Sequence, residues 1–248
     1  MSTILVFDLK GPIAQFKKFD TNSSSLSYIA PPRTVIAGLL AGILGYEKDS
    51  HYELFNPENA DIAISVVGWP RKIIQTVNYM FVKNKTDVNL SKGRTQIPVE
   101  FLFPPLEQHE LTYRIFFRHA DPALQNDLKQ RLKNQTYVYP PYLGLTEMLG
   151  KLCWIEEGIC EKKQADGPIP IHTLSPIQGL KEKSVQFNIN SDQLFYQKER
   201  MPRFFNKDRY LEESMSYLIE RSGRIIAEPR GEYFQVQYQG KTENILYM

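Results

Sequence analysis

The sequence contains three residues whose side chains could together cleave RNA without a metal ion: Tyr46, Arg118 and His119. Histidine can act as a general acid or base near neutral pH, and arginine and tyrosine can stabilise a charged phosphorane. Such a set could cut RNA with the RNA's own 2′-hydroxyl as the nucleophile. The alternative is a surface histidine that follows a strand and a tyrosine that caps the core.

A second set of residues could bind phosphate. Gly11 follows a predicted strand, residues 22–28 read Asn-Ser-Ser-Ser-Leu-Ser-Tyr, and Arg33 precedes a predicted helix. A helix N-terminus offers free backbone N–H groups and partial positive charge, to which hydroxyls and an arginine would add donors. Because short motifs are weakly specific, a serine-rich loop with a solvated arginine is the alternative.

Residues 71–94 carry most of the excess positive charge, with six basic residues and one acidic residue. Strand-like runs at 73–82 and 94–103 predict a long hairpin with a polar tip. A basic arm that carries Tyr79 and Phe81 among its lysines could follow a phosphate backbone and stack bases. A solvated hairpin with scattered lysines explains the same charges equally well.

A helix that is apolar on nearly every side is predicted at residues 35–44 and should be buried. Thr34 is the expected N-cap and Gly45 the expected C-cap. Gly38 and Gly42 lie four residues apart, so one helix face has no side chains. We expect this face to pack closely on a sheet.

The order of the other elements indicates the fold. Runs at 3–9, 61–67 and 111–117 are typical of core strands, a second helix is predicted at 122–132, and a short fourth strand at 137–139. The order β-α-β, hairpin, β-α-β is that of the α+β ferredoxin-like fold, which RNA-recognition domains share, with an inserted hairpin. A fold alone does not define a function.

The chain is expected to divide into a ferredoxin-like RNA-binding domain at residues 1–150, with a hairpin thumb at about 71–105, and a small β-rich C-terminal extension at 151–248. Within the extension we expect a connecting loop at 162–183 and a helix near 211–221. Short strands are predicted at 185–189, 224–227, 233–238 and 244–247.

The composition and charge limit the classes of protein to which this chain can belong. The 248 residues are 42% hydrophobic and 12% aromatic, which is enough for a substantial core. A net charge of +2 excludes a uniformly basic nucleic-acid binder but allows local basic patches. Cys153 and Cys160 are too few for a disulfide framework, and no apolar run is long enough to cross a membrane. We therefore expect a soluble, cytoplasmic protein.

Motifs for metal- or cofactor-dependent chemistry are absent from the sequence. It has no Walker motif, dinucleotide fingerprint, zinc-deaminase signature or nucleophile elbow, and its four histidines are scattered. No dense set of carboxylates suggests a two-metal nuclease. We expect no cofactor and no metal site.

Several short motifs together point to a family. They are Gly11, Ala14, Phe16 and the serine-rich segment to Tyr28, then Pro31-Pro32-Arg33-Thr34 and Gly38, Arg94-Thr95-Gln96, Tyr142-Leu143-Gly144, Arg200-Met201-Pro202 and Asp208-Arg209. This pattern resembles the fifth CRISPR-associated protein family of the RAMP superfamily, which holds the 5′ handle of CRISPR RNA (crRNA) in type I Cascade complexes. The tail is similar to that of type I-B-like members.

The resemblance implies a function in antiviral defence. In this family a ferredoxin-like domain binds the hooked handle, and the hairpin is a thumb that kinks the RNA beside the first backbone subunit. The implied partners are crRNA, the Cascade backbone subunit and the large subunit that reads the protospacer-adjacent motif, with target DNA bound through the assembled complex. The implied RNA-binding residues are Lys10, Gly11, Ser24, Ser27, Tyr28, Arg33, Lys92, Arg94, Gln96 and Tyr142.

The family also contains a catalytic branch. Its type I-C members process precursor RNA without metal and carry a tyrosine and a basic residue followed by histidine, which Tyr46 and Arg118-His119 could match. In type I-B systems a separate endonuclease makes this cut. We therefore expect a non-catalytic subunit, with a metal-independent endoribonuclease as the alternative.

Overall fold

The chain is built mainly from β-strands, as seen in a computed structural model that describes residues 2–21, 23–89, 92–187 and 195–248. The first elements in chain order are β1 (Ser2–Gly11), β2 (Phe16–Lys17), β3 (Ser27–Tyr28), α1 (Arg33–Leu44), β4 (Ala60–Val66), β5 (Arg71–Met80), β6 (Arg94–Phe103), β7 (Leu111–His119), α2 (Pro122–Asn134) and β8 (Lys151–Gln164). They are followed by β9 (Ile169–Ile171), β10 (Ser175–Pro176), β11 (Tyr196–Phe205), β12 (Leu211–Glu220), β13 (Ile225–Ala227), β14 (Glu232–Tyr238) and β15 (Lys241–Ile245).

A six-stranded antiparallel sheet in the order β15-β14-β8-β1-β7-β4 forms the centre of the molecule. Helix α1 connects β1 to β4, and α2 connects β7 to β8. The predicted strands at 3–9, 61–67 and 111–117 are confirmed as β1, β4 and β7. Neither α1 nor α2, nor any other helix of the described residues, is long and apolar enough to cross a membrane.

The expected fourth strand at 137–139 is wrong, because the strand that completes the centre of the sheet is β8. Val138 and Tyr139 instead donate their backbone N–H groups to the carbonyls of Ile43 and Gly42, at 3.2 and 3.3 Å. These carbonyls lie in the last turn of α1, where intrahelical partners are lacking. The segment therefore caps a helix and does not extend a sheet.

The buried helix is confirmed as α1, although its N-cap is not Thr34. The helix begins at Arg33. Pro32 is its N-cap because the Pro32 carbonyl accepts the first helical N–H groups, and no side chain caps this end. Gly45 is confirmed as the C-cap, with φ of 85°.

The glycine face of α1 does not pack on the sheet as expected. A methyl group added at Gly38 would find its nearest neighbour, His51 Nε2, at 3.8 Å, and one at Gly42 would find Tyr139 Cβ at 3.9 Å. Both neighbours belong to loops. The face without side chains therefore forms the floor of a surface groove.

The second helix follows its sequence signals closely. Asp121 accepts the Ala123 N–H at 2.8 Å as the N-cap, with Pro122 at the first helical position. Leu124, Leu128 and Leu132 are buried, as the spacing predicts.

The C-terminal part shares the central sheet. Strand β8 begins at residue 151 and pairs with both β1 and β14, so the chain on both sides of the expected boundary at residue 150 contributes to one sheet. The expected loop at 162–183 contains the end of β8, all of β9 and β10. The strands predicted at 224–227, 233–238 and 244–247 correspond to β13, β14 and β15, the last beginning and ending earlier.

The helix expected near 211–221 is wrong. Residues of this segment form β12, which pairs antiparallel with β11 from Tyr196↔Glu220 to Phe205↔Leu211. The long partner strand overrides a helix preference that was read from the segment alone. Of the strand predicted at 185–189, residues 185–187 are not in a strand, and the remainder lies outside the described residues.

The predicted hairpin is confirmed. Strands β5 and β6 pair in an unbroken register from Arg71↔Phe103 to Met80↔Arg94, and a short 3₁₀ helix, Lys85–Asn89, lies at the tip. Strand β5 is exposed on both faces for nearly all its length, as expected of an arm that extends away from the core.

Three glycines allow two loops to meet around Leu143. Added methyl groups at Gly11 and Gly150 would approach Leu143 Cδ1 to 2.7 and 2.4 Å, and one at Gly144 would lie 1.9 Å from the Gln15 carbonyl oxygen. The Gln15 N–H donates to the Leu143 carbonyl at 3.1 Å in the same contact. The loop after β1 is therefore fixed against the loop before β8.

We expect Gly144→Ala to lower the free energy of unfolding by about 2 kcal/mol or more, because residue 144 has φ of 95° and its new methyl group would collide with backbone. Urea unfolding monitored by tryptophan fluorescence would measure the change. Gly231→Ala is the matched control, since nothing lies within 4 Å of its added methyl group. Equal stability of the two variants would contradict the assignment.

Candidate nucleic-acid interface

The hairpin is attached to the core through the free edge of β6. The Ser25 N–H donates to the Pro98 carbonyl at 2.8 Å, and the Glu100 N–H donates to the Ser25 carbonyl at 2.9 Å. Ala14 and Leu102 exchange two further backbone bonds at the hairpin base. The serine-rich segment thus lies beside β6 as an additional edge.

Two buried carboxylates hold this segment. Glu100 accepts the Ser27 N–H at 2.9 Å and contacts Lys72 Nζ at 3.3 Å. Glu199, from β11, accepts the Ile29 N–H at 3.0 Å and contacts Lys18 Nζ at 2.9 Å. Hydrogen bonds to ionised carboxylates are stronger than neutral ones, so they fix the path of the chain from the hairpin base to α1.

Arg94 and Gln96 are exposed on one face of the hairpin. Side chains alternate along a strand, so both share a face with Glu100, the face on which the serine-rich segment is held. We call the row of side chains from Arg94 through Gln96 to Glu100 the hairpin strip. At the rise of a β-strand it extends about 20 Å. Arg94 has no carboxylate partner among the described residues. Tyr79 pairs with Thr95 and therefore faces the opposite side.

Lys92 stabilises the tip of the hairpin. Its Nζ lies 2.9 Å from Asp87 Oδ1, while Asp87 Oδ2 accepts the N–H groups of Lys83 and Asn84 at 3.0 Å each. Lys92 remains half exposed in this arrangement.

The other N-terminal candidates have mostly structural contacts. Ser27 and Tyr28 are buried, and Ser27 Oγ accepts the Phe16 N–H at 3.0 Å. Lys10 lies 3.5 Å from Asp8 and shares its face of β1, opposite the face that bears Leu9. Ser24 is partly exposed beside the hairpin base. Gly11 is buried in the loop contact around Leu143.

Arg33 lies inside the molecule, with 1% of its surface exposed. Its two amino groups donate to the carbonyls of Phe55 and Ala60, at 2.8 and 2.6 Å, so it ties the start of α1 to the loop before β4. Burial and the nearby charge of Arg203 lower the pKa of Arg33 to about 10. The structure therefore does not bring Arg33 to the surface with the serine-rich segment.

Tyr142 and Tyr46 stand on the glycine face of α1. Together with Tyr139 they line a groove of about 570 Å³ whose floor includes Gly38 and Gly42. We call it the tyrosine groove. Three partly exposed aromatic rings over a floor without side chains could receive a flat ring.

The three residues that could cleave RNA do not converge. Arg118 and His119 are consecutive in β7 and therefore point to opposite faces of the sheet. Arg118 contacts Asp61 Oδ2 with its Nε at 2.8 Å and donates from Nη1 to Ser2 Oγ at 2.8 Å. Tyr46 and His119 lie on the same side of the sheet, where the ring of Phe55 contacts both of them.

His119 already uses both ring nitrogens. Its Nε2 lies 2.9 Å from the Leu54 carbonyl, and its Nδ1 accepts the Asp121 N–H at 2.9 Å. The side chain is 6% exposed. This arrangement anchors the start of α2 and leaves neither nitrogen directed at a substrate.

Sequence reasoning missed several residues that the fold places near these sites. The buried carboxylates Glu100 and Glu199 gave no local signal. Arg209 belongs to the Asp208-Arg209 motif of the tail, and Arg203 follows Arg200-Met201-Pro202. The sequence did not show that both line one cavity with Arg33. Within the described residues, no cluster of three or more His, Cys, Asp or Glu side chains could hold a metal ion.

The chain is thus a mostly β protein with a curled, half-barrel sheet and a basic hairpin. Its described residues include the two α-helices α1 and α2. A sequence profile described as CRISPR-associated protein (Cas_Cas5) matches residues 4–214. The chain therefore belongs to the Cas_Cas5 family of CRISPR-associated proteins. Comparison with curated protein sequences gives no match.

Solved structures share this fold at low identity. A crystal structure of a CRISPR protein from Archaeoglobus fulgidus is 14% identical, with a TM-score of 0.62 over 98% of this chain and 99% of that one. A chain of a CRISPR RNA-guided surveillance complex is 10% identical, with a TM-score of 0.54 over 92% of both chains. The fold of this chain is thus one found in CRISPR proteins.

We expect the hairpin tip to loosen at acidic pH. The bond to Lys92 and the N–H groups of Lys83 and Asn84 hold the pKa of Asp87 below its ordinary value. Because the folded-state pKa is depressed, this stabilisation is present above the ordinary pKa of aspartate and is lost as pH falls through the lower, folded-state value. Amide shifts of residues 83 and 84 in NMR spectra would report it, and Asp87→Asn should abolish the transition.

Arg33→Lys should lower the free energy of unfolding by about 2 kcal/mol or more, because one ammonium group cannot replace both hydrogen bonds of the guanidinium plane and a buried carbonyl loses its donor. Arg200→Lys is the control, since Arg200 is exposed on β11. Chemical denaturation would measure both variants. A stable Arg33→Lys protein would show that the two carbonyl contacts do not matter.

Proposed function

We propose that this protein is a non-catalytic subunit of a type I Cascade complex that binds the 5′ handle of crRNA. In this role it caps the backbone filament next to the large subunit that reads the protospacer-adjacent motif. Membership of the Cas_Cas5 family supports a role in CRISPR defence. The tail motifs support a type I-B-like system, and the complex would act in the cytoplasm.

The observation that carries the proposal is the strip on one face of the hairpin. It starts at the serine-rich segment on the hairpin base and continues through Gln96 to Arg94. Arg94 offers a guanidinium that has no carboxylate partner among the described residues and can bind phosphate, and Gln96 offers an amide for base edges. Phosphate contacts supply affinity for single-stranded RNA, and contacts with splayed bases supply selectivity.

The topology supports a ferredoxin-like RNA-binding domain. Strands β8, β1, β7 and β4 lie side by side in that order and are the fourth, first, third and second strands of a β-α-β, β-α-β chain. The hairpin is inserted between β4 and β7, so it extends from the domain as a thumb beside the RNA.

Apolar side chains on the thumb support a role within an assembly. Ile73, Ile74, Tyr79 and Met80 of β5 are all exposed, on both faces of the hairpin. Isolated proteins seldom present such a strand to water, because exposed apolar patches and strand edges promote association. The Cascade backbone subunit would cover this surface, and target DNA would be bound by the assembled complex.

The geometry around His119 supports a non-catalytic role. A general acid or base must reach the proton that it transfers, and a nucleophile must be aligned with it. Here both nitrogens of His119 are bonded to backbone, and Arg118 lies on the other side of the sheet. No observation favours the endoribonuclease alternative.

The proposal predicts that labelled repeat RNA is bound and remains intact in EDTA. Arg94→Gln should weaken binding about tenfold, or about 1.4 kcal/mol, because a phosphate contact on the strip is lost. Native gels would measure the affinity and denaturing gels the integrity of the RNA. Arg221→Gln removes the same charge from an exposed position outside the hairpin and should leave affinity unchanged.

Two results would overturn the proposal. Equal affinity of the wild type and Arg94→Gln, for RNA alone and in an assembly with the backbone subunit, would remove the role of the strip. RNA that is cut by the wild type but not by His119→Ala would establish a processing nuclease.

A further inference from the structure

The tyrosine groove on α1 belongs to a larger exposed apolar surface. Five apolar side chains in the groove or directly beside it are 39 to 59% exposed: Tyr46, Val138, Tyr139, Tyr142 and Leu149. They are connected, because residues 138 and 139 bond to the last turn of α1 and Tyr142 forms an isolated β-bridge with Leu149. Contiguous apolar patches with a polar rim are typical of sites where another molecule binds.

The walls of the groove are fixed without a ligand. The Tyr139 N–H donates to the last turn of α1, and the Tyr46 N–H donates to the Ala41 carbonyl at 3.0 Å. The backbone of Tyr142 is held by its bridge to Leu149. A preformed surface loses little conformational freedom when a partner binds, so the fixed walls favour affinity.

The exposure of the rings fits a partner protein better than a small molecule. Small-molecule sites enclose most of the surface of their ligand, whereas all three tyrosine rings of the groove remain substantially exposed. Tyrosine is enriched in protein interfaces, where a partner covers the ring and the hydroxyl keeps a hydrogen bond. A segment of a partner protein would bury the rings beneath the rest of its own surface.

Exposed carboxylates surround this apolar surface. Glu47 lines the groove on one loop, and Glu147 follows the lining residue Thr146 on the other. Glu53 and Glu58 add negative charge to the loop that carries Glu47. None of the four glutamates has an ion-pair partner in the part of the chain that the structure describes. A cationic partner would therefore find uncompensated negative charge here.

Positive charge at the groove is limited. Lys48 lines it, and the neighbouring Arg209 is paired with the lining residue Asp49 at 3.4 Å. Burial lowers the pKa of His51, so its ring adds no positive charge at neutral pH. A phosphate backbone would meet more negative than positive charge at this surface, which favours a cationic protein segment over a nucleic acid.

Arginine is the cation that suits such a surface. Its flat guanidinium is weakly hydrated and always charged, so it can stack on tyrosine rings while its N–H groups reach carboxylates. The ammonium of lysine is more strongly hydrated and does not stack in this way. Gly38 and Gly42 leave the floor of the groove without side chains that would obstruct a flat group.

We propose that the tyrosine groove docks a segment of a partner protein that carries an arginine between apolar residues. The guanidinium stacks on the tyrosine rings and is attracted by Glu47, and the apolar neighbours of the arginine cover Val138 and Leu149. Of the residues that the family resemblance implies for RNA, this assigns Tyr142 to a protein contact. The site uses no residue of the hairpin strip, so it is independent of the proposed function.

The test is an NMR titration of the isotope-labelled full-length protein with the peptide acetyl-Gly-Leu-Arg-Leu-Gly-amide. We expect the amide signals of Gly38 and Gly42 to shift, and the same peptide with glutamine in place of arginine to bind about tenfold more weakly. Millimolar peptide that causes no shift of these signals would overturn the inference, as would equal binding of the arginine and glutamine peptides.

Variants at exposed positions test the two kinds of contact. Tyr142→Leu should weaken binding of the arginine peptide about fivefold, and Glu47→Gln about threefold, because a stacked ring and an attracting charge are lost. Tyr210→Leu and Glu58→Gln are the matched controls, since both residues are exposed outside the groove, and they should bind as the wild type does. Unchanged binding in Tyr142→Leu would overturn the inference.

Other occupants of the groove are distinguished with the same proteins. A labelled RNA hexamer should bind Tyr142→Leu as it binds the wild type, and weaker binding would make the groove an RNA site. Free arginine amide that binds as tightly as the peptide would make the ligand a small cation. A wild-type dimer that Tyr142→Leu dissociates in sedimentation would make the occupant a second copy. Each of these three results would overturn the inference.

The hairpin strip is tested separately by Arg94→Gln. This variant should weaken binding of the RNA and leave binding of the arginine peptide unchanged, because Arg94 does not line the groove. Failure of the proposed function would therefore appear in the RNA titration, and failure of the docking site in the peptide titration.

Discussion

The arrangement of this protein depends on two buried carboxylates that accept backbone N–H groups from one short segment. Glu100 holds the Ser27 N–H from the hairpin base, and Glu199 holds the Ile29 N–H from β11. Each carboxylate also contacts a lysine, so its charge is compensated where water is excluded. Two distant parts of the chain, the hairpin base and β11, are thereby fixed to the segment that leads into α1, and the hairpin projects from a rigid base.

Arg33 shows how a residue type that binds ligands can first serve the fold. Its amino groups connect α1 to the loop before β4, while its Nε is buried without a hydrogen-bond partner among the described residues. Desolvation makes its charge more costly and thus more attractive to an anion.

The sequence predicted the elements that depend on local patterns. Apolar periodicity indicated α1 and α2, Asp121 and Gly45 marked a start and an end, and the charged arm was recognised as a hairpin. Strands β8 and β12 were not recognised. Their stability comes from partners on other parts of the chain, β8 between β1 and β14 and β12 beside β11, so no pattern within them is sufficient.

The sequence by itself determined the two helices, the hairpin and the motifs that place the chain in its family, because backbone sterics and side-chain periodicity act within a few residues. Only the tertiary structure decided that Arg33 is buried, that Arg118 and His119 are separated by a sheet, and that Arg203 and Arg209 line one cavity with Arg33. Burial and convergence depend on which distant segments pack together. Spacing along one chain does not contain that information.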